Sequence, residues 1–131
     1  DLIVDRSKIY SRKSTFLARL GKVEETFTVL DSVLLYINQS SPNKRGEYLA
    51  QTYYLKARLQ DRSGQLEAAM GSYLRALEVA KTAGLTFKIM DIHLQLGYVH
   101  KALNNLSQSI KSHQQSLKYS QQLADTRRVQ K

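Results

Sequence analysis

A pattern of apolar and small residues repeats along this chain at a spacing of about forty residues. The middle copy consists of Leu66, Ala69, Tyr73, Ala76 and Leu77. The later copy holds Leu106, Ser109, His113, Ser116 and Leu117, and the earlier copy holds Val23, Thr26, Leu30, Val33 and Leu34. A fixed period between about twenty and fifty residues is typical of stacked repeat arrays, in which each unit buries its apolar face against its neighbours. Such an array favours an interaction surface over a reaction centre.

Helical spacing of apolar residues continues along the chain, and no useful stretch alternates with the period of two that a strand requires. We predict six helices at about residues 2–20, 23–37, 47–62, 65–83, 86–103 and 106–123, and the start of a seventh in residues 125–131. Turn residues separate them at Gly21, Gly64, Gly84 and Asn104. A loop is expected at residues 38–46, which contain the single proline.

The expected fold is all-α, a right-handed superhelical array of antiparallel helix hairpins. Three repeats are predicted at about residues 4–38, 47–83 and 87–123, within a single domain over residues 1–131. Since the chain starts at Asp1 and ends in a segment typical of a helix start, we expect it to be a fragment of a longer protein.

Composition excludes several kinds of chemistry and favours anionic partners. The 131 residues contain no cysteine, which excludes disulfides, thiolate catalysis and cysteine-ligated zinc. No apolar run approaches the roughly 18 residues of a membrane span. The net charge is +9, and it rises from +1 in residues 1–43 to +5 in residues 84–131. Because the basic residues are mostly dispersed, we interpret most of them as solvating outer helix faces.

The spacing of large and small residues resembles the tetratricopeptide repeat. In residues 50–83 the matching positions are Tyr53, Ala57, Gly64, Ala69, Tyr73 and Ala76. The third pair places His93, Leu96, Gly97, His100, Asn104, Ser109, His113 and Ser116 in the same positions. The first pair places Tyr10, Ser14, Leu17, Gly21, Thr26, Leu30 and Val33 there. Two features depart from the family pattern: the closing proline is missing from each repeat, and the period exceeds the usual thirty-four residues. Longer repeats of this kind resemble those of bacterial regulators and sensor proteins.

The resemblance implies a protein- or peptide-binding module that serves as the input or docking domain of a larger bacterial signalling or regulatory protein. In the family, the first helix of each pair lines a concave groove. The groove residues implied here are Lys8, Ser11, Arg19, Gln51, Tyr54, Arg58, Arg62, Tyr98 and Lys101. Arginine binds carboxylates bidentately and tyrosine supplies rigid contact area, so an acidic partner is expected. The alternative is a solvated inner face in which Arg58 and Asp61 pair locally.

Two other functions are compatible with a helical repeat array. The array could be an oligomerisation spacer, or a nucleic-acid-associated factor that uses the basic C-terminal face. The sequence argues against nucleic acid, because no DNA-reading motif accompanies the dispersed charges. His93 and His100 stand about 10 Å apart along one helix, too far to share a metal, and we expect both to be structural. No enzyme activity, cofactor, metal or membrane contact is expected, and the cytoplasm is favoured over a bacterial periplasm.

Overall fold

The regular secondary structure of the described residues is entirely helical. The computed structural model describes Ile9, Arg12, Lys13, residues 21–37 and residues 42–129. Within these residues there are five numbered helices and no strand. They are α1 (Val23–Ile37), α2 (Pro42–Arg62), α3 (Leu66–Thr82), α4 (Thr86–Ala102) and α5 (Leu106–Val129). The all-α fold of stacked helices is confirmed, whereas the predicted helix 2–20 falls almost wholly outside the described residues.

Two predicted boundaries are wrong. The loop expected through residue 46 ends earlier, because α2 already begins at Pro42. Proline suits the first helical position, where its fixed φ is already helical and its missing N–H removes no hydrogen bond. The expected seventh helix is also absent from the described residues, since residues 125–129 continue α5. Only Ala124 separates Leu123 from Asp125, and alanine favours the helix more than any other residue.

The turns within the hairpins are closed by residues with left-handed backbone. Gly64 has a φ of 79° and Asn104 a φ of 63°, a region that glycine and, less often, asparagine occupy readily. After each of these residues, the next backbone N–H donates to a carbonyl five residues back, to Gln60 in the first case and His100 in the second, both at 2.8 Å. These turns reverse the chain direction between α2 and α3 and between α4 and α5, as the sequence predicted.

Small residues let the paired helices approach closely. In α2 and α3, Ala57, Ala69 and Ala76 are fully buried. In α4 and α5, serines take part in the contact and bond to backbone. Ser109 Oγ donates to the Gly97 carbonyl at 2.8 Å, and Ser116 Oγ donates to the Met90 carbonyl at 3.0 Å. Both hairpins therefore contain satisfied buried hydroxyls, since Ser72 Oγ of α3 also donates to Gln60 Oε1 of α2 at 2.6 Å, and the three buried alanines pack between α2 and α3.

Replacing Gly97 with alanine is expected to destabilise the α4–α5 hairpin. A Cβ at this position would come within 2.5 Å of the Cε1 atom of the His113 ring, so the ring must move. We expect the free energy of unfolding to fall by about 1–3 kcal/mol. The control is Gly71→Ala in α3, where an added Cβ meets nothing within 4 Å. Since alanine favours the helix over glycine, Gly71→Ala should raise the free energy of unfolding by about 0.5–1 kcal/mol.

Urea unfolding followed by far-ultraviolet circular dichroism measures both changes. Equal stabilisation by the two alanine substitutions would contradict the close approach of α4 and α5 at Gly97.

Candidate functional site

The side chains of α2 and α4 meet around the ring of Tyr54. We call this the α2–α4 face and define it by Gln51, Tyr54, Arg58, Lys88 and Asp91. The Nζ atom of Lys88 lies 4.2 Å from the centroid of the Tyr54 ring, and the Cζ atom of Arg58 lies 5.9 Å from it. Cations are attracted to the electron-rich face of an aromatic ring. The ring thus has two positive groups close to it, one from each helix.

Lys88 is held in place from two sides. Its Nζ atom donates a hydrogen bond to Gln51 Oε1 at 2.5 Å, in addition to its position over the Tyr54 ring. Burial lowers the pKa of Lys88, because the charged ammonium loses water; Asp91 opposes this shift and Arg58 adds to it. A fixed, partly desolvated charge of this kind interacts with an anion more strongly than a fully hydrated one does.

Tyr54 forms the floor of the face. Its side chain is only 6% exposed, and its ring makes an edge contact with Tyr73 of α3, with centroids 5.8 Å apart. Burial raises the pKa of the Tyr54 hydroxyl, and the hydrogen bond that it donates to Asp91 raises it further. The sequence predicted that this tyrosine supplies rigid contact area for a partner. Side chains of α3 and α4 cover most of its ring, so little of the Tyr54 surface is accessible to a partner.

An open pocket of about 420 Å³ adjoins Lys88. It lies between the N-terminal half of α2 and the first turn of α4, and its lining is mainly apolar. The lining residues are Glu47, Tyr48, Gln51, Leu85, Thr86, Phe87 and Lys88. Phe87 is 59% exposed, so its ring is accessible at the edge of the pocket. The pocket therefore offers space for an apolar group next to a fixed positive charge.

The other predicted groove residues fall into three groups. Arg58 and Arg62 are exposed on α2, and Lys101 is exposed at the end of α4. Tyr98 is also exposed, but its ring contacts His113 of α5, with centroids 5.1 Å apart, so it belongs to the α4–α5 side of the molecule. Lys8, Ser11 and Arg19 lie outside the described residues.

Sequence reasoning missed Lys88. It stands three residues before Asp91, which is one helical turn earlier on the same side of α4. The family pattern assigns no groove position there, and a single lysine near a helix start resembles an ordinary solvated residue. Helical spacing from Asp91 was the signal that could have identified it.

The histidines take part in packing. The ring of His93 stacks on Tyr119 of α5, with centroids 5.8 Å apart, and burial lowers its pKa. Among the described residues, no group of three histidine, cysteine or acidic side chains is placed to hold a metal ion. No helix in the described part of the chain is long and apolar enough to cross a membrane.

Antiparallel hairpins stacked through small residues define a helical repeat protein. Residues 50–82, which cover most of α2 and end with α3, match the family model of the tetratricopeptide repeat. Residues 50–82 thus match a single tetratricopeptide repeat, and the resemblance expected from the sequence is confirmed for this segment. The period of about forty residues remains a prediction.

A solved structure shows the same kind of fold. The crystal structure of BtubC (BKLC) from P. vanneervenii is similar to this chain, with a TM-score of 0.77 and 22% sequence identity. The likeness covers 88% of this chain and 46% of that one, so this chain spans less than half of its length. A second structure, a MamA RS-1 ArsTM double mutant, has a TM-score of 0.49 and 17% identity, over 89% and 76% of the two chains. No curated protein sequence matches this chain.

Proposed function

We propose that this chain is a protein-recognition module whose α2–α4 face binds a peptide segment with a carboxylate next to an apolar side chain. Tetratricopeptide repeats generally mediate protein–protein interactions, and the repeat found here contains Gln51, Tyr54 and Arg58. The proposal depends on one observation above all. Two cations from different helices, Lys88 and Arg58, are held over one buried ring beside an open pocket.

The arrangement suits a carboxylate for electrostatic reasons. Lys88 and Arg58 together carry two positive charges, and Asp91 supplies one negative charge that is already engaged with the Tyr54 hydroxyl. The pocket lining also carries the acidic Glu47, so a ligand carboxylate would contact the two cations rather than the opposite wall of the pocket. Hydrogen bonds between ionised groups are roughly twice as strong as those between neutral ones. The chain's net charge of +9 would also attract an acidic segment over longer distances.

The pocket adds selectivity for an apolar neighbour of that carboxylate. Its mainly apolar walls include the exposed Phe87 ring, whose burial by a ligand would be favourable. Apolar burial supplies affinity, and the two cations fix the orientation and register of the peptide. In this proposal, the module acts as the docking or input domain of a larger signalling or regulatory protein.

Arg58→Ala is expected to weaken peptide binding by about tenfold or more. The probes are fluorescein-labelled decapeptides that pair Leu or Phe with Asp or Glu, and binding is measured by fluorescence anisotropy. Matched decapeptides carry Asn or Gln in place of the acids. Because Arg58 is exposed, its loss should leave the melting temperature unchanged.

Arg75→Ala is the matched control for Arg58→Ala. Arg75 is also exposed and lies 5.7 Å from a tyrosine ring, but that ring is Tyr53, on the α2–α3 side. This control should bind the acidic peptides like the parent protein. Equal losses in the two variants, or equal binding of the amide peptides, would refute the proposal. Affinity for duplex DNA that falls steeply with salt would favour the nucleic-acid alternative instead.

A further inference from the structure

A second open pocket lies beside the pocket at Lys88. It has a volume of about 600 Å³ and lies between the N-terminal half of α2, the C-terminal end of α3 and the turn that leads into α4. We call it the α2–α3 pocket. Glu47 and Leu85 line both pockets, so the two are neighbours across this pair of side chains. A ligand that fills the first pocket can therefore continue into the second.

The α2–α3 pocket combines apolar walls with an acidic rim. The walls include the half-buried side chains of Leu49, Val79 and Leu85. Glu47 of α2 and Glu78 of α3 also line the pocket, and both are exposed. Within the described residues, the one ion pair joins Lys56 and Asp31, so neither carboxylate is paired there with a basic side chain.

The charge of this rim is opposite to that of the whole chain. Arg45 is the one basic residue in the pocket lining; it is half-buried and already takes part in an interaction of its own. Two exposed carboxylates against one engaged arginine leave an excess of negative charge at the rim. The net charge of the chain is +9, so the rim is a local acidic spot on a basic protein.

Arginine and lysine side chains match the walls and the rim together. Each has an apolar stem that covers apolar surface and a terminal charge that stays at the water-exposed end. A guanidinium group also binds carboxylates through paired hydrogen bonds. An acidic side chain would be repelled by Glu47 and Glu78, because like charges across an interface oppose association.

We infer that the α2–α3 pocket binds an arginine or lysine side chain of the same peptide that the α2–α4 face binds, two or three residues from the apolar residue in the first pocket. The inference rests on the proposed function and adds a basic residue to the recognised segment. An extended peptide advances about 3.3 Å per residue, so two or three residues span about 7–10 Å. That span suits neighbouring pockets that share two lining residues.

The test compares fluorescein-labelled decapeptides by fluorescence anisotropy. The first peptide has Asp next to Phe, Arg three residues beyond Phe, and Gly or Ser elsewhere. Gln replaces Arg in the second peptide, Leu replaces Arg in the third, and Asn replaces Asp in the fourth. A second series has the reversed residue order, so that both chain directions are sampled.

Arg is expected to raise the affinity about fivefold over Gln and over Leu. The net charge of +9 disfavours a basic residue in a ligand generally, so such a gain would come from local contacts.

Glu78→Gln should remove the gain that Arg provides. The matched control is Glu67→Gln, because Glu67 is also exposed on α3 but lies in its first turn. The control should keep the gain. Glu78→Lys should go further and prefer a peptide with Glu in place of Arg. Glu67→Lys makes the same change in net charge and should not. Circular dichroism checks that all four variants remain folded.

Three results would overturn the inference: equal affinity of the Arg and Gln peptides, equal affinity of the Arg and Leu peptides, or equal effects of the substitutions at Glu78 and Glu67. The second result would make an apolar side chain the occupant of the pocket. If Asp matters and Arg does not, this inference fails and the proposed function stands. If Arg matters and Asp does not, the pocket binds a base without the carboxylate contact, and the proposed function fails instead.

Discussion

Replacing Tyr73 with alanine is expected to lower the free energy of unfolding by about 3–5 kcal/mol, the usual cost of deleting a buried aromatic ring. Tyr73 is completely buried, and it belongs to the core shared by α2, α3 and α4. Its ring also supports Tyr54 through the edge contact. Many domains are stable by only about 5–15 kcal/mol, so this loss is a large fraction of the total. Urea unfolding followed by circular dichroism measures it.

Tyr73→Phe is the matched control, and it should be neutral or stabilising. The Tyr73 hydroxyl oxygen is buried and has no hydrogen-bond partner among the described residues. Burial raises the pKa of this hydroxyl, and the nearby Asp61 charge adds to the shift, so the group stays neutral in the folded protein. Removing a buried polar atom without a partner eliminates a desolvation cost of about 1–3 kcal/mol. If Tyr73→Phe were as damaging as Tyr73→Ala, the hydroxyl rather than the ring would be responsible.

The regular parts of the fold could be predicted because local signals and packing agree. Helix α1 runs from Val23 to Ile37, as its apolar spacing predicted. Gly64 and Asn104 adopt the left-handed backbone that their positions after helices indicated. In both cases the residue preference and the tertiary structure require the same conformation, so the sequence pattern is sufficient.

The predicted helix ends were wrong where a residue type has opposite effects at different positions of a helix. Proline interrupts helices in their interior but favours their first turn, and Pro42 takes the second role. Residues 125–129 have polar character typical of a new start, yet they continue α5 without a break. Residue composition alone does not distinguish a helix start from a loop, or a new helix from a continued one. The distinction depends on where the previous helix ends.

The site was predicted only in part, since contacts between helices decide which side of a residue is open. Gln51 bonds to Lys88 of α4, and Arg58 lies near the Tyr54 ring, so both are on the side of α2 that meets α4. That this side is a binding groove stays a prediction. Tyr54 shares that side, but helix α4 brings Lys88 over its ring and α3 brings Tyr73 against its edge. A linear pattern gives the position of each residue on its own helix. It does not give the tilt of the neighbouring helix, which buries one residue and exposes the next.

Ala69→Leu is the second substitution with a large expected effect. Ala69 is fully buried in α3, as is Ala57 in α2, and both belong to the core cluster. Three additional carbon atoms do not fit there without moving α3 or neighbouring side chains. We expect the free energy of unfolding to fall by about 1–3 kcal/mol, the usual cost of overpacking. Because leucine and alanine are both strong helix formers, the loss would reflect packing rather than helix propensity.

Ala68→Leu is the matched control, since Ala68 is the adjacent residue and its side chain is exposed. It should change the free energy of unfolding by less than about 0.5 kcal/mol. Ala69→Leu should also weaken binding of the acidic decapeptides, because moving α3 displaces Tyr73 and, through it, the Tyr54 ring that lies beneath Lys88 and Arg58. A neutral result at Ala69 would mean that α3 does not approach its neighbours closely there. The repeat register would then be wrong, and the assignment of the α2–α4 face would fail with it.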